Sequence, residues 1–473
     1  MFLKKLNELY NIDDDRLIKS IKINSKEVEP GDIFVCTMGV TADRHDFIDE
    51  AIKNGASAIV VSRDVGKKTV PVIKVDDTNV ELRKLSAKFY DYPYEKACMI
   101  GVTGTTGKTT VAELIYQLIS DDCAYIGTNG KKYKNKHFSM LNTTPDVDRL
   151  YKFFKEFIDN GCNTICMESS SEAFFRHRLD DIKYDYAIIT NIAEDHLNIH
   201  KTMENYVDCK CQLFRQVKDT GYSILNSNDK YFELFKKESK GTIVSYGYKE
   251  TDTLMIKDYT LKRNKTIINF KYNNKLYKVI SPLLGSFNVE NLAAAILCLL
   301  CQKYKFEDLI EKVSTLKQIE GRMEIMPFTD KYTVVLDYAH TTDALDNVLS
   351  FFNKVKDNRI ITVTGSAGGR EKEKRSDMGK VVLEKSDYVI FTMDDPRYED
   401  PEKIIDDLVS DSNKTNYERI INRKKAIYKA LDMAEPKDII LIAGKGRDNY
   451  MAINDKYLPY CDYEVIKDYY NEH

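Results

Sequence analysis

The stretch Gly104-Thr105-Thr106-Gly107-Lys108-Thr109-Thr110 gathers two glycines, a lysine and four hydroxyl side chains. It follows an apolar, strand-like run (residues 97–103) and opens a helical one (residues 108–120). In that setting backbone N–H groups and the positive end of a helix cradle phosphate oxygens. Lys108 would lie between the β- and γ-phosphates of a nucleotide, and the Thr109 hydroxyl would hold Mg²⁺. The strict spacing of such loops puts a glycine where this chain has Val102, so the loop is a variant. Glu168 ends another apolar run at residues 164–168. A carboxylate at the carboxyl edge of a parallel sheet stands where ligands bind in open α/β folds, and its oxygens suit a hard cation.

Such groups need a scaffold of alternating strands and helices. From Asp32 onward short β-branched runs (32–36, 58–62, 72–75) alternate with amphipathic stretches (46–54, 79–90), the grammar of a small α/β unit. Further strands are expected at 186–191, and residues 253–280 read as an antiparallel hairpin about Asn273-Asn274. After Gly321-Arg322 the α/β pattern resumes, with strands at 334–337, 360–364, 388–392 and 439–443. The expected fold class is α/β in three domains: a small N-terminal α/β domain (1–92), a central P-loop-type parallel sheet with the ATP site (93–321), and a C-terminal Rossmann-like domain (322–473).

The 473 residues exclude a lone small binding module. With 71 Lys+Arg against 74 Asp+Glu the net charge is -3, too balanced for nucleic acid or an anionic membrane as main partner. The ten cysteines are scattered without a matching metal or disulfide pattern and read as reduced thiols. No run approaches the roughly 20 apolar residues of a membrane span and no signal peptide is evident, so a cytoplasmic protein, a monomer without membrane insertion, is expected.

Beyond the phosphate loop, Thr190-Asn191-Ile192-Ala193-Glu194-Asp195-His196-Leu197, Gly285-Ser286-Phe287-Asn288-Val289-Glu290-Asn291, Glu320-Gly321-Arg322-Met323-Glu324 and Asp337-Tyr338-Ala339-His340 occur in that order. Together they resemble the ordered motifs of the Mur ligase family, ATP-dependent enzymes that form amide bonds in peptidoglycan precursor synthesis. The resemblance is nearest to the MurE branch, which attaches the third residue to UDP-N-acetylmuramoyl-L-Ala-D-Glu. It is carried by Asn142-Thr143-Thr144-Pro145, Glu168-Ser169-Ser170-Ser171, the loop 365–375, Asp394-Asp395-Pro396-Arg397 and Gly444-Lys445-Gly446.

The resemblance implies roles residue by residue. Lys108, Glu168, His196 and Lys210 would be catalytic, with Thr109, Glu168, His196 and Lys210 holding Mg²⁺. Lys210 resembles the family lysine that carries a CO₂-derived carbamate, which a desolvated, neutral amine can form. Asn291, Arg322, Asp337 and His340 resemble the remaining ATP contacts, and closure of the third domain over ATP is implied. Ser25, Asn142, Thr143, Thr144, Ser170 and Arg178 would meet the UDP-muramoyl dipeptide. Arg370, Asp394, Asp395, Pro396, Arg397, Gly444 and Asp448 would form the amino-acid pocket.

Arg397 offers a planar fork to a distal carboxylate, which favours meso-diaminopimelate over L-lysine. The chain departs from the family pattern at Asn24-Ser25-Lys26, Glu172, Asp395 and Asp448. The alternatives are an L-lysine-adding ligase, another amide ligase of the superfamily such as folylpolyglutamate synthetase, or a nucleotide-binding scaffold without catalysis.

Overall fold

The computed structural model describes residues 2–39, 42–140, 142–262, 264–369 and 372–473. Three sheets organise them. Near the N-terminus four parallel strands run in the order Ser20–Lys22, Asp32–Val35, Ala58–Val61, Val72–Lys74. The helix Thr78–Phe89 follows. It is capped by the Asp77 carboxylate, which accepts the N–H groups of Asn79 and Val80, so two of the otherwise unpaired donors of the first turn are satisfied.

The largest sheet has eleven strands. Its parallel heart is Cys123–Gly127, Thr164–Glu168, Cys98–Thr103, Tyr184–Ile189, Val217–Asn226 and Thr242–Gly247 in spatial order. The first three of these strands are buried on both faces, which is why they read as continuous apolar runs. One face is covered by Lys108–Ile119 and by Phe287–Cys301, a helix apolar nearly all round and buried between its neighbours. The other face takes Val147–Asp159 and Met203–Arg215; the former turns Leu150, Tyr151, Phe154 and Phe157 inward, a single helical stripe. The expected hairpin about Asn273-Asn274 is present and belongs to a three-stranded antiparallel annex, Leu254–Leu261, Thr266–Tyr272 and Lys275–Ser281. At the opposite edge lies a hairpin, Gly130–Tyr133 with Lys136–Phe138.

The third sheet runs Glu324–Ile325, Thr333–Asp337, Ile439–Ala443, Ile360–Thr364, Tyr388–Phe391, Tyr417–Arg419, parallel except at its first pair. Helices such as Thr342–Val355, capped by the Thr341 hydroxyl, cover it on both sides. Among the described residues no helix is long and apolar enough to cross a membrane.

Register decides where chemistry gathers. Glu168 pairs with Val102, and Ile189 with Thr103, so three parallel strands of the large sheet end level with one another. In the third sheet Asp337 pairs with Ala443, and Thr364 with Phe391. Each sheet thus presents a row of loops at its carboxyl edge, the ligand edge of open α/β folds.

Candidate active site

The phosphate loop leaves the central strand at Thr103 and enters its helix at Lys108. Its shape is fixed from the next strand's loop. The Asn191 carboxamide accepts the Thr106 N–H at 3.1 Å and donates to the Thr106 carbonyl at 3.2 Å, while the Thr190 hydroxyl donates to the same carbonyl at 2.6 Å. Gly107 takes φ 84°, and a Cβ there would strike Oδ1 of Asn291; both the dihedral and the close approach require glycine. Asn291 lies one turn into its helix and donates to Asn288 Oδ1 at 3.0 Å, so it abuts the loop as a wall.

Lys108 folds back to donate to the carbonyls of Gly104 and Thr105 at 2.9 and 2.8 Å. Burial lowers its pKa against the opposing pull of Glu168 and Asp195. Lys210, from the helix Met203–Arg215, is buried and donates to the same Gly104 carbonyl at 2.8 Å, with Tyr206 beneath its ammonium at 4.4 Å. Desolvation, and then the neighbouring Lys108 charge, push its pKa well below the usual lysine value. Two lysines sharing one carbonyl is an arrangement that favours the neutral amine at the more buried position.

Glu168 is fully buried, and its carboxylate collects Tyr125 Oη at 2.7 Å, Thr128 N at 2.8 Å, Thr109 Oγ1 at 3.0 Å and Thr128 Oγ1 at 3.2 Å. The facing Thr109 and Glu168 oxygens are a donor set suited to a hard cation such as Mg²⁺. His196 takes φ 56° at the start of the short helix Leu197–His200, with Nε2 3.4 Å from Asp195. Burial opposes ionisation of Asp195, but the imidazoles of His196 and His340 hold its carboxyl below the usual range. No group of three or more His, Cys, Asp or Glu is gathered to hold a metal among the described residues. A metal here would draw first on the facing Thr109 and Glu168 oxygens.

The third domain reaches this loop. Arg322 Nη2 donates to Thr109 Oγ1 at 3.2 Å, its guanidinium lies 4.7 Å over the Tyr338 ring, and its Nε is buried without a hydrogen-bond partner. The two carboxylate oxygens of Asp337 accept the N–H groups of Met323 at 2.6 Å and Ala339 at 2.7 Å, which staples the hinge. His340 is exposed, with Nδ1 2.7 Å from the Tyr338 carbonyl.

The acceptor residues converge. Thr144 Oγ1 donates to the Glu168 carbonyl at 2.9 Å and lies 3.1 Å from Ser170 Oγ, Thr143 meets Thr128 at 3.2 Å, and Arg178 ties the Thr144 carbonyl at 3.2 Å to Asp146 at 2.7 Å. Asn142 is exposed beside them. Ser25 is in the N-terminal domain, where its buried hydroxyl donates to Glu50 at 2.5 Å. Two residues on, Glu27 pairs with Arg149 at 2.7 Å, in the helix that follows the acceptor loop. That contact brings the N-terminal segment to the same side.

The amino-acid residues assemble at the carboxyl edge of the third sheet. Gly444 takes φ 113°, and a Cβ would strike Asp394 Oδ2, so the strand end packs directly on that carboxylate. Asp394 is buried beside Arg423, which is itself held by Asp462 at 2.7 Å. Asp395 and Arg397 have φ 42° and 52°, flanking Pro396, whose carbonyl packs on Gly368. Arg397 is exposed, and among the described residues its guanidinium forms no ion pair. Burial lifts the Asp448 carboxyl to about 6 despite Lys445 at 3.6 Å. Arg370 lies outside the described residues.

Three stretches match family descriptions: residues 17–93 the Mur ligase family catalytic domain, 102–299 the Mur ligase middle domain, and 321–446 the Mur ligase glutamate ligase domain. The chain belongs to the Mur ligase family. This Mur ligase is 36% identical over 99% of its length to a protein of Oceanobacillus iheyensis, of which it covers 98%, and 38% identical over 97% to one of Fusobacterium nucleatum subsp. nucleatum, of which it covers 95%. Both relatives are named UDP-N-acetylmuramoyl-L-alanyl-D-glutamate--2,6-diaminopimelate ligase. A solved structure described by the same name aligns over 99% of both chains with 28% identity and a TM-score of 0.69. The fold is thus the three-part α/β architecture of Mur ligases, and the enzyme is an ATP-dependent amide ligase.

Several residues that build the Mur ligase site have tasks that no sequence signal reveals. Thr190 and Asn191 stood inside a recognised motif, yet their task of moulding the loop is visible only in three dimensions. Tyr125 and Thr128, which fill the Glu168 carboxylate, come from a strand end with no catalytic pattern. Lys445 was legible only as the middle of a glycine-flanked triplet.

Proposed function

We propose that this chain joins meso-diaminopimelate to the D-glutamate of UDP-N-acetylmuramoyl-L-Ala-D-Glu, using ATP, as a step of peptidoglycan precursor synthesis in the cytoplasm. The observation that carries this reading is the Asp394–Arg397 turn, seated on Gly444 and Lys445 with the Arg397 guanidinium presented outward, in a chain whose near-full-length relatives bear a diaminopimelate ligase name.

The acceptor carboxylate attacks the γ-phosphorus of ATP, ADP departs, and the amine then displaces phosphate from the acyl phosphate. Such transfer is governed by positioning and by neutralising charge. Lys108 would swing from the Gly104 and Thr105 carbonyls to the β- and γ-phosphates, and Arg322 would add its positive charge from the third domain beside Thr109. Mg²⁺ held by Thr109, Glu168 and His196 would supply Lewis-acid charge for the phosphoryl oxygens.

Neutral Lys210 can add CO₂ and lose a proton, giving an anionic carbamate whose burial beside Lys108 would be compensated by that ammonium. Thr143, Thr144, Ser170 and Arg178 would orient the dipeptide, and Ser25 would lie towards its nucleotide end. Arg397 would take the distal carboxylate as a bidentate pair while Asp448 and its neighbours hold the distal ammonium. Exclusion of water between the second and third domains would protect the acyl phosphate.

The test is incubation with UDP-muramoyl dipeptide, ATP and a panel of amino acids, followed by mass measurement of the product. The reading expects one product, dipeptide plus diaminopimelate less water, with ADP released only when both substrates are present. Exclusive use of L-lysine, or of a folate acceptor, would overturn it.

A further inference from the structure

Lys445 follows Gly444 at the end of the strand Ile439–Ala443, and its side chain is 1% exposed. Its ammonium lies 2.8 Å from Asp395 Oδ1, 3.6 Å from Asp448 Oδ2 and 4.0 Å from Asp394 Oδ1, with the Tyr450 ring at 5.2 Å. A cation so enclosed stands behind the pocket's carboxylates rather than in front of them.

Asp395 Oδ1 does a second job, since it also accepts the Ala452 N–H at 2.9 Å. The Ala452 carbonyl in turn accepts the Arg397 N–H at 3.0 Å, and the Arg397 carbonyl accepts the Asn454 N–H at 2.8 Å. The turn is thereby laced to the strand Tyr450–Ile453, with Arg397 bridged to Ile453. Asp395 and Arg397 both hold left-handed dihedrals without being glycine. Such backbone persists only where its surroundings over-determine it. The lacing supplies that constraint, and the Lys445–Asp395 pair is its buried end.

The geometry points to Lys445 as a positioning residue: by holding the Asp395 carboxylate it fixes the left-handed turn from which Arg397 reaches the incoming amino acid. This rests on the amino-acid pocket proposed above. A buried ammonium asks for a full negative charge, and a neutral carboxamide at position 395 would leave Lys445 to Asp394 and Asp448 alone.

The experiment uses the full chain and compares wild type with Lys445→Met and the conservative variant Lys445→Arg. Two readouts are taken: hydrogen exchange of the peptide spanning residues 450–454, and KM for the amino acid separately from kcat and KM for ATP. Lys445→Met leaves Asp395 unpaired among other carboxylates. It should therefore speed exchange at Ala452 and raise KM for diaminopimelate about tenfold or more, with KM for ATP and kcat at saturation within about threefold. Lys445→Arg, which keeps a cation facing Asp395, should leave both readouts within about threefold of wild type.

An unchanged amino-acid KM in Lys445→Met would overturn the inference. So would a raised KM in Lys445→Met with exchange at Ala452 unchanged, which would make Lys445 a direct substrate contact. If wild type proves to ligate a different amino acid, the proposed function fails while the KM comparison proceeds on that amino acid. If it ligates none, exchange at Ala452 alone decides whether Lys445 holds the turn.

Discussion

The two ligand edges of the molecule are held in shape by different forces. At the phosphate loop the constraints on the backbone are neutral: Thr190 and Asn191 bond the Thr106 backbone and Asn291 walls Gly107. At the amino-acid edge the constraints are ionic: Lys445 among three aspartates, Arg423 with Asp462, and Arg375 with Glu399 and Asp407. Neutral hydrogen bonds fix a backbone whatever charge later arrives, which suits a loop that must accept a polyanion. Ionic networks fix charge as well as shape, which suits a pocket that must discriminate between zwitterions. The first edge should thus fail by losing chemistry when altered, the second by losing stability, specificity or pH tolerance.

The largest effect tests the first edge. Lys210→Ala should cut turnover on the order of 10⁴-fold, about 5.5 kcal/mol, while leaving the fold intact. High concentrations of a short-chain carboxylate should partly restore it by replacing the anion, and ADP release measures both. Full activity without rescue would remove Lys210 from the chemistry.

Arg423→Met attacks the second edge through stability. The Arg423 and Asp462 side chains are 1% and 0% exposed. Breaking one partner of a fully buried pair costs about 3–5 kcal/mol. Chemical denaturation should show that loss, with the transition of the third domain shifted most. A comparable loss from Asn191→Ala, which removes only neutral bonds, would erase the contrast between the edges.

Arg397→Ala should cost roughly 2 to 5 kcal/mol in kcat/KM for diaminopimelate when its partner carboxylate stays buried. ATP binding, followed by calorimetry, should not change. A preference of the wild type for L-lysine would show that Arg397 is no carboxylate clamp in the working complex.

The smallest expected effect is on pH. Burial raises Asp448 to about 6. The folded state therefore binds more protons than the unfolded state between the ordinary carboxylate range and that value, so the Asp448 contribution to stability declines as pH rises through the window. Its charge, needed for an ammonium, is lost in the opposite direction. KM for the amino acid should rise severalfold as pH falls below about 6, and Asp448→Asn should flatten that profile and add stability at neutral pH. A profile unaltered by the substitution would place the titration elsewhere.

Much of the central and third sheets could be read from residues, and the reason is burial. Strands such as Thr164–Glu168 and Ile439–Ala443 are enclosed on both faces, so their apolar runs begin and end with the strands themselves. Short, exposed elements gave no such signal. The hairpin Gly130–Tyr133 with Lys136–Phe138 is lysine-rich, and Tyr417–Arg419 is three residues long, so neither has enough periodicity to mark it.

In the site, Lys108 and Glu168 stood out because glycine turns and strand ends advertise themselves. The bonds of Asp337 to the Met323 and Ala339 N–H groups did not, because the backbone partners of a strand-end carboxylate are set by the fold and not by the motif around it. Arg397 was recognisable as a cation, but the left-handed turn that presents it is set by Asp395, Ala452 and Lys445, far apart in the chain.

Arg322 joins the third domain to Thr109 through one donor hydrogen bond, with the Tyr338 ring under its guanidinium and its Nε left unpaired. A nucleotide seated on the loop would compete for both the hydroxyl and the cation. Interdomain angle and nucleotide affinity are then coupled in part through this side chain, and the coupling is reciprocal. Whatever factor nucleotide exerts on the angle, a force or partner that sets the angle must exert on nucleotide affinity. Truncating Arg322 should weaken both that coupling and nucleotide binding.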